Sequence, residues 1–217
     1  MKNKFTKQLL AEFLGTFMLV FAGTGAIIIN DVSGGTITHL GIAIVFGLAV
    51  LSVIYAYGDL SGAHINPAVT FSFFVAGKFS GGKVLPYIIA QLAGATFASL
   101  VLSYLFPEHE GLGGTIPAGS SSQSFILEVA LTWWLMVVIL SVAEGNKEKG
   151  LFAGIAIGSV VALEAAFAGP ISGASMNPAR SFGPAVISGN LEHIWIYFTA
   201  TTLGGILAVV SSKLLKK

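Results

Sequence analysis

Ser61-Gly62-Ala63-His64-Ile65-Asn66-Pro67-Ala68 returns, with two changes, as Ser172-Gly173-Ala174-Ser175-Met176-Asn177-Pro178-Ala179, and both copies sit in otherwise apolar sequence. Asn followed by Pro is a strong helix start. The Asn side chain caps free backbone N–H groups, and Pro takes the first helical position, where its missing N–H costs nothing. Behind each motif the apolar run is short, Pro67 to Ala76 and Pro178 to Ser188. At ~1.5 Å per residue such a helix reaches about half-way through a hydrocarbon layer of ~30 Å. Two half-helices in one membrane chain point to a pore, because the irregular backbone leading into each must be enclosed by protein or line a wet cavity.

The rest of the chain supplies the membrane spans. Of its 217 residues 54% are hydrophobic and 10% charged, a balance that excludes an ordinary soluble domain and fits an all-α, polytopic membrane protein. Six longer apolar runs are expected to cross: Gln8 to Ile29, Leu40 to Tyr57, Val84 to Phe106, Phe125 to Ala143, Leu151 to Ala168 and His193 to Leu214. The first follows three lysines, as a signal peptide does, but its length is the ~20 residues of a full span. Cysteine is absent, which removes disulfides, thiolate nucleophiles and Cys-based metal sites.

Ten of the eleven Lys/Arg residues fall at Lys2, Lys4 and Lys7, at Lys78 and Lys83, at Lys147 and Lys149, and at Lys213, Lys216 and Lys217. The intervening loops carry Asp31, Glu108, Glu110 and Glu192 instead. Positive charge marks cytoplasmic loops, so both termini are expected in the cytoplasm, in agreement with an even number of spans. As solvated loop ends these lysines imply no nucleic-acid partner. The short chain is expected in a prokaryotic inner membrane.

A constant offset of 111 carries Asn66 onto Asn177, Gly47 onto Gly158, and Ala93-Gly94 onto Gly204-Gly205. Glu12 with Thr16 and Glu128 with Thr132 repeat a further pattern, about five residues out of that register. The chain thus reads as one transmembrane domain, 1–217, built from two copies of one unit, about 1–110 and 120–217. Three full spans per copy is odd, so the second copy must be inverted relative to the first, with the special site where the halves meet. Gly47, Gly94, Gly158 and Gly205 are expected at helix crossings, where a missing side chain lets backbones approach.

At the meeting point two helix N-termini face each other, each worth roughly half a positive charge, beside the amides of Asn66 and Asn177. That field opposes cations and protons while a passing hydroxyl can accept hydrogen bonds. Ile65, Val69, Met176 and Phe46 would offer it few partners, so the passing species must be small and neutral.

Paired Asn-Pro-Ala motifs at this spacing resemble the aquaporin, or major intrinsic protein, family through all six spans. The wording Phe167-Ala168-Gly169-Pro170-Ile171-Ser172-Gly173-Ala174-Ser175-Met176-Asn177-Pro178-Ala179-Arg180-Ser181 is most similar to the plant nodulin-like intrinsic proteins and their bacterial relatives. The resemblance implies a passive channel for water and small uncharged solutes in a lipid bilayer, a homotetramer with one pore per subunit. It places the family's narrow filter at Phe46, Ala165, Ala174 and Arg180. Strict water channels of the family carry His where this chain has Ala165, which implies a wider aperture here, open to polyols, urea or uncharged hydroxides such as boric or arsenous acid. Against this, the typical glycerol facilitator has Asp directly after the filter arginine, whereas Ser181, Ala185 and Tyr197-Phe198 look like water-channel residues. A water-selective pore is therefore the first alternative.

Ionisable groups inside spans suggest function by default. For Glu12 and Glu128 the resemblance implies support of the loops leading into the half-helices. Glu164, next to the Ala165 filter position, has three readings: a hydrogen-bonded structural acid, which is preferred, an ionised partner of Arg180, or a pH-sensitive gate. A proton-coupled carrier with Glu12, Glu128 and Glu164 as its relay is the alternative from another class. His64 is expected to be a hydrogen-bonded loop residue. His39, His109 and His193 fall at span ends as interfacial side chains, and Trp133, Trp134 and Trp195 as packing and interface anchors. Neither metal nor cofactor is expected. The sequence holds no nucleophile-base-orienter set and no phosphate-cradling glycine loop, so an enzyme is not expected. Gly111 to Ser122 is expected to link the repeats on the outer side.

Overall fold

The computed structural model describes residues 2–143 and 150–215; Lys147, Lys149, Lys216 and Lys217 of the charge pattern lie outside them. Among the described residues the chain is all helix, with no strand: α1 (Lys2–Val32), α2 (Thr38–Ser61), α3 (Pro67–Val75), α4 (Gly81–Leu105), α5 (Ser121–Ala143), α6 (Ala153–Ser172), α7 (Pro178–Ser188) and α8 (Ile194–Leu215). Six of these, all but α3 and α7, are long and apolar enough to cross a membrane. The first two overshoot their apolar runs at both ends, because helical hydrogen bonding continues into polar sequence: α2 passes Asp59 and stops only at Ser61. At that point Gly62 (φ 90°), and at the end of α6 Gly173 (φ 83°), take the left-handed conformation that glycine adopts freely. Their N–H groups return to the carbonyls of Gly58 and Gly169. The repeated Ser-Gly therefore terminates a span, and the Asn-Pro four residues later starts a half-helix.

α1 packs along α4, α5 along α8, and α2 along α6 at the join between the two groups. The half-helices cross over: α3 lies mainly against α8, and α7 mainly against α4. Small residues allow each approach. A Cβ on Gly47 would stand 2.5 Å from the carbonyl oxygen of Gly158, and one on Gly158 would stand 2.6 Å from that of Gly47. Gly94 of α4 lies against the Phe13 carbonyl of α1. Its equivalent in α8 is Gly204, against the Val129 carbonyl of α5, while Gly205 faces the Ser72 side chain of α3. The constant offset had paired Gly94 with Gly205; in the third span of each copy the spatial register is one residue shorter, because Phe13 and Val129 each directly follow the repeated glutamate. Gly205 instead makes room for the half-helix of the other copy.

Candidate functional site: a lumen at the junction of two half-helices

Asn66 and Asn177 have extended backbone and cap their helices as the Asn-Pro spacing dictates. Asn66 Oδ1 accepts from the N–H groups of Ala68 (2.9 Å) and Val69 (3.4 Å), and Asn177 Oδ1 from those of Ala179 (2.9 Å) and Arg180 (3.4 Å). Each amide nitrogen then reaches across the junction. Asn66 Nδ2 donates to the Met176 carbonyl (2.7 Å), and Asn177 Nδ2 donates to the Ile65 carbonyl (2.8 Å). The tips of α3 and α7 are thereby tied to each other. Each amide uses one N–H in this way and keeps a second, and both asparagines line the cavity described below.

Backbone conformation makes the junction possible. Ala63, Ile65, Ala174 and Met176 all have positive φ, between 41° and 54°. Residues with a Cβ adopt this at a cost of roughly 1–2 kcal/mol each, so something must hold them. Glu12 accepts from the N–H groups of His64 (3.0 Å) and Ile65 (2.7 Å), the Ser61 hydroxyl (2.7 Å) and Gln91 Nε2 (2.8 Å). Glu128 accepts from the N–H groups of Ser175 (2.8 Å) and Met176 (2.8 Å) and the Ser172 hydroxyl (2.7 Å). Tyr87 and Tyr197 brace the same loops, donating to the carbonyls of Ser61 (3.0 Å) and Ser172 (2.7 Å).

A cavity of about 760 Å³ runs past the junction, from Asp59 and Leu151 at one end to Phe46, Ala165, Ala174 and Arg180 at the other. One wall is apolar, with Val50, Leu135, Ile139 and Val161; the other carries Asn66, Asn177 and the two loops. Ile65, Val69 and Met176 also face the lumen, as does His64. Arg180 Nη1 donates to the Gly113 carbonyl (2.8 Å), and its guanidinium lies 5.0 Å from the centre of the Phe46 ring, a cation–π contact. Arg180 Nε has no hydrogen-bond partner among the described residues. The four residues of the expected filter thus share one stretch of wall, and only Phe46 and Arg180 among them are bulky.

Other expectations fall differently. Glu164 is fully buried but does not line the cavity, and neither carboxyl oxygen has a hydrogen-bond partner among the described residues. The preferred hydrogen-bonded role is therefore not what the structure has. Successive helical residues diverge by about 100°, so Ala165 faces the lumen while Glu164 turns into the packed interior within electrostatic reach of Glu128. Among the described residues no glutamate lines the lumen, and Glu12 and Glu128 are occupied by loop donors; a relay of Glu12, Glu128 and Glu164 therefore does not run along it. Ser181 bonds to Ser175 (2.6 Å) and Thr115 (2.7 Å), and Tyr197 to Ser172. These two brace the site without lining it, and Ala185 is buried away from the lumen, so their water-channel character carries no direct weight on solute size. His64 shares a hydrogen bond with Thr70 (3.1 Å) and stacks on Phe73, with Phe79 and Tyr87 around it.

Sequence reasoning missed Gly23 and Gly113. A Cβ on Gly23 would collide with the Phe46 ring, so Gly23 seats the filter's aromatic. Gly113 contributes a backbone oxygen, for which no residue type is a signal. Ser61, Ser172, Tyr87 and Tyr197 were findable, since all four recur in or within one residue of the common offset.

Residues 1–211 match the family model described as major intrinsic protein. Among curated proteins, the chain is 45% identical to "Aquaporin NIP1-1" of Zea mays over 98% of this chain and 76% of that one, and 48% identical to "Aquaporin NIP1-1" of Oryza sativa subsp. japonica over 93% and 72%. Among solved structures, the aquaglyceroporin from Plasmodium falciparum superposes with a TM-score of 0.84 at 28% identity, over 95% of this chain and 94% of that one.

Proposed function

The chain belongs to the major intrinsic protein family, it is an integral membrane channel for water and small neutral solutes and not an enzyme, and we propose that its pore also passes solutes of glycerol, urea and boric or arsenous acid size. The observation that carries this is the filter wall, in which Ala165 and Ala174 line the same cavity end as Phe46 and Arg180. Two methyl groups leave space where a His would fill it. Phe46 offers an apolar face to a carbon skeleton, while Arg180 and the free N–H groups of Asn66 and Asn177 bind its oxygens in turn. Cations are opposed by Arg180 and the two helix N-termini together. The kinship with aquaporins and an aquaglyceroporin supports the same reading.

In this proposal Asn66, Pro67, Ala68, Asn177, Pro178 and Ala179 form the junction, Phe46, Ala165, Ala174 and Arg180 the filter, and Glu12, Glu128 and His64 its support. The chain forms a single domain of inverted repeats, about 1–110 and 120–217, an organisation supported by the matched bonds of Glu12 and Glu128. Both termini are cytoplasmic, as the lysine pattern requires. Assembly as a homotetramer rests on the family resemblance, and each subunit encloses its own lumen. The relatives named above are plant proteins and lend no support to a prokaryotic inner membrane.

Stopped-flow permeability of proteoliposomes to water, glycerol, urea and boric acid tests the reading. Native protein is expected to accelerate passage of all four. Ala165→His should lower glycerol passage about tenfold while water flow is retained, because steric exclusion at a constriction acts on the larger solute. A native pore that conducts only water would overturn the proposal.

A further inference from the structure

The Gly113 carbonyl that anchors Arg180 is held by a short relay that ends on an imidazole. Leu112 (φ 45°) and Gly113 (φ 66°) form the centre of a turn closed by the Gly114 N–H on the Gly111 carbonyl (2.9 Å). The Leu112 side chain is buried with Ile28 and Leu102, and Gly113 lies against the backbone of Thr24 on α1. The Leu112 N–H donates to Nδ1 of His109 (3.0 Å), and Nε2 of the same ring lies 3.2 Å from the Asp31 carboxylate at the end of α1. An Nδ1 that accepts carries no proton, so Nε2 bears the hydrogen and donates it to Asp31. The ring is neutral in this arrangement, and both of its nitrogens are engaged.

We propose that His109 is a positioning residue for the filter: by accepting from Leu112 it sets the turn that presents the Gly113 carbonyl to Arg180, and protonation of its Nδ1 releases that carbonyl and narrows the pore. A proton on Nδ1 converts the acceptor into a donor facing another donor, so the Leu112 bond is lost. The Nε2–H bond to Asp31 is kept when the ring is protonated, so the imidazole stays seated while its other nitrogen changes role. Glu108 and Glu110 are its sequence neighbours in the loop, and Arg180 is linked to it through Gly113. Leu112 is a residue with a Cβ in left-handed conformation, and without its N–H bond the turn loses one of the contacts that offset that strain. Among the described residues Arg180 Nη1 has no other hydrogen bond and Nε has none, so on release its guanidinium leaves the wall for the lumen. Glycerol-sized solutes are obstructed first, since they need the full aperture.

This rests on the proposed passage of glycerol through the filter, and the test separates the two. Proteoliposomes with equal pH on both sides are assayed for glycerol and water permeability at about pH 7.5 and about pH 5, a range over which imidazoles take up a proton. Native protein should lose at least about threefold in glycerol permeability at the lower pH, with a smaller loss for water, as expected of a size-limited constriction. His109→Asn supplies an acceptor at the Nδ1 position that does not titrate, and it should keep the high value at both pH values. His109→Ala has no acceptor and should be low at both. Thermal melting of each variant in detergent reports folding separately. A native pore without a pH step, an Asn variant that keeps the step, or an Ala variant that is native-like at both pH values would overturn the relay. If the native pore excludes glycerol at every pH, the solute proposal fails, and the same three outcomes are read from the water permeability.

Discussion

Replacing Glu128 by alanine is expected to abolish the stably folded channel. The carboxylate accepts the N–H groups of Ser175 and Met176 and the hydroxyl of Ser172, and it is fully buried. Without it two buried backbone donors lose their acceptor, at about 1–3 kcal/mol each. The Ala174 and Met176 backbones then relax from their left-handed conformations, and the Met176 carbonyl that receives Asn66 moves with them. The summed loss, on the order of 2–6 kcal/mol, rivals the total stability of many domains. Glu128→Gln keeps one acceptor oxygen and should fall between the two. Size-exclusion profiles and melting of the purified protein in detergent measure this, with water permeability as the functional readout. A Glu128→Ala protein that melts and conducts like the native one would show that the loop holds its shape unaided. Glu12→Ala should behave alike, since Glu12 has the same two backbone donors in the first copy.

The second large effect is expected at the seam between α2 and α6. A Cβ at Gly47 would meet the Gly158 carbonyl at 2.5 Å and the Ala162 methyl at 2.6 Å, and neither is the end of a flexible side chain that can swing aside. Gly47→Leu must therefore push two spans apart. Overpacking of this kind costs typically 1–3 kcal/mol and more where backbone is the obstacle, and it opens the wall that carries Phe46 and Ala165. Yield of monodisperse protein should drop sharply. Gly82→Ala is the control: nothing lies within 4 Å of a Cβ there, so at this first-turn position yield and melting should stay at or slightly above the native values. Equal yields from Gly47→Leu and native protein would refute the close-crossing argument.

What could be anticipated from residues alone was uneven for a physical reason. Helix starts, span lengths and the repeat are local or periodic properties, so Asn66 and Asn177 announce themselves by capping chemistry and by their offset. Gly94 and Gly204 show the limit of that method, because a uniform offset ignores a one-residue change of register that only packing against α1 and α5 reveals. Glu164 shows another. Its neighbour Ala165 lines the lumen, but which of two adjacent helical positions faces a cavity depends on how the helix is rotated, and α2 and α5 set that rotation. His109 reads in sequence as an ordinary span-end side chain, since its partners Asp31 and Leu112 belong to different segments and Gly113 acts through a backbone oxygen.

Composition, the doubled Asn-Pro-Ala phrase and the lysine pattern determined by themselves that this chain crosses a membrane six times, carries two half-helices and conducts something uncharged. The tertiary structure alone decided which side chains reach the lumen, how the strained loops are held, and what anchors Arg180. The first set depends on hydrophobicity and helix capping, which act over a few residues; the second depends on contacts between residues far apart in the chain, whose geometry exists only once the spans have packed.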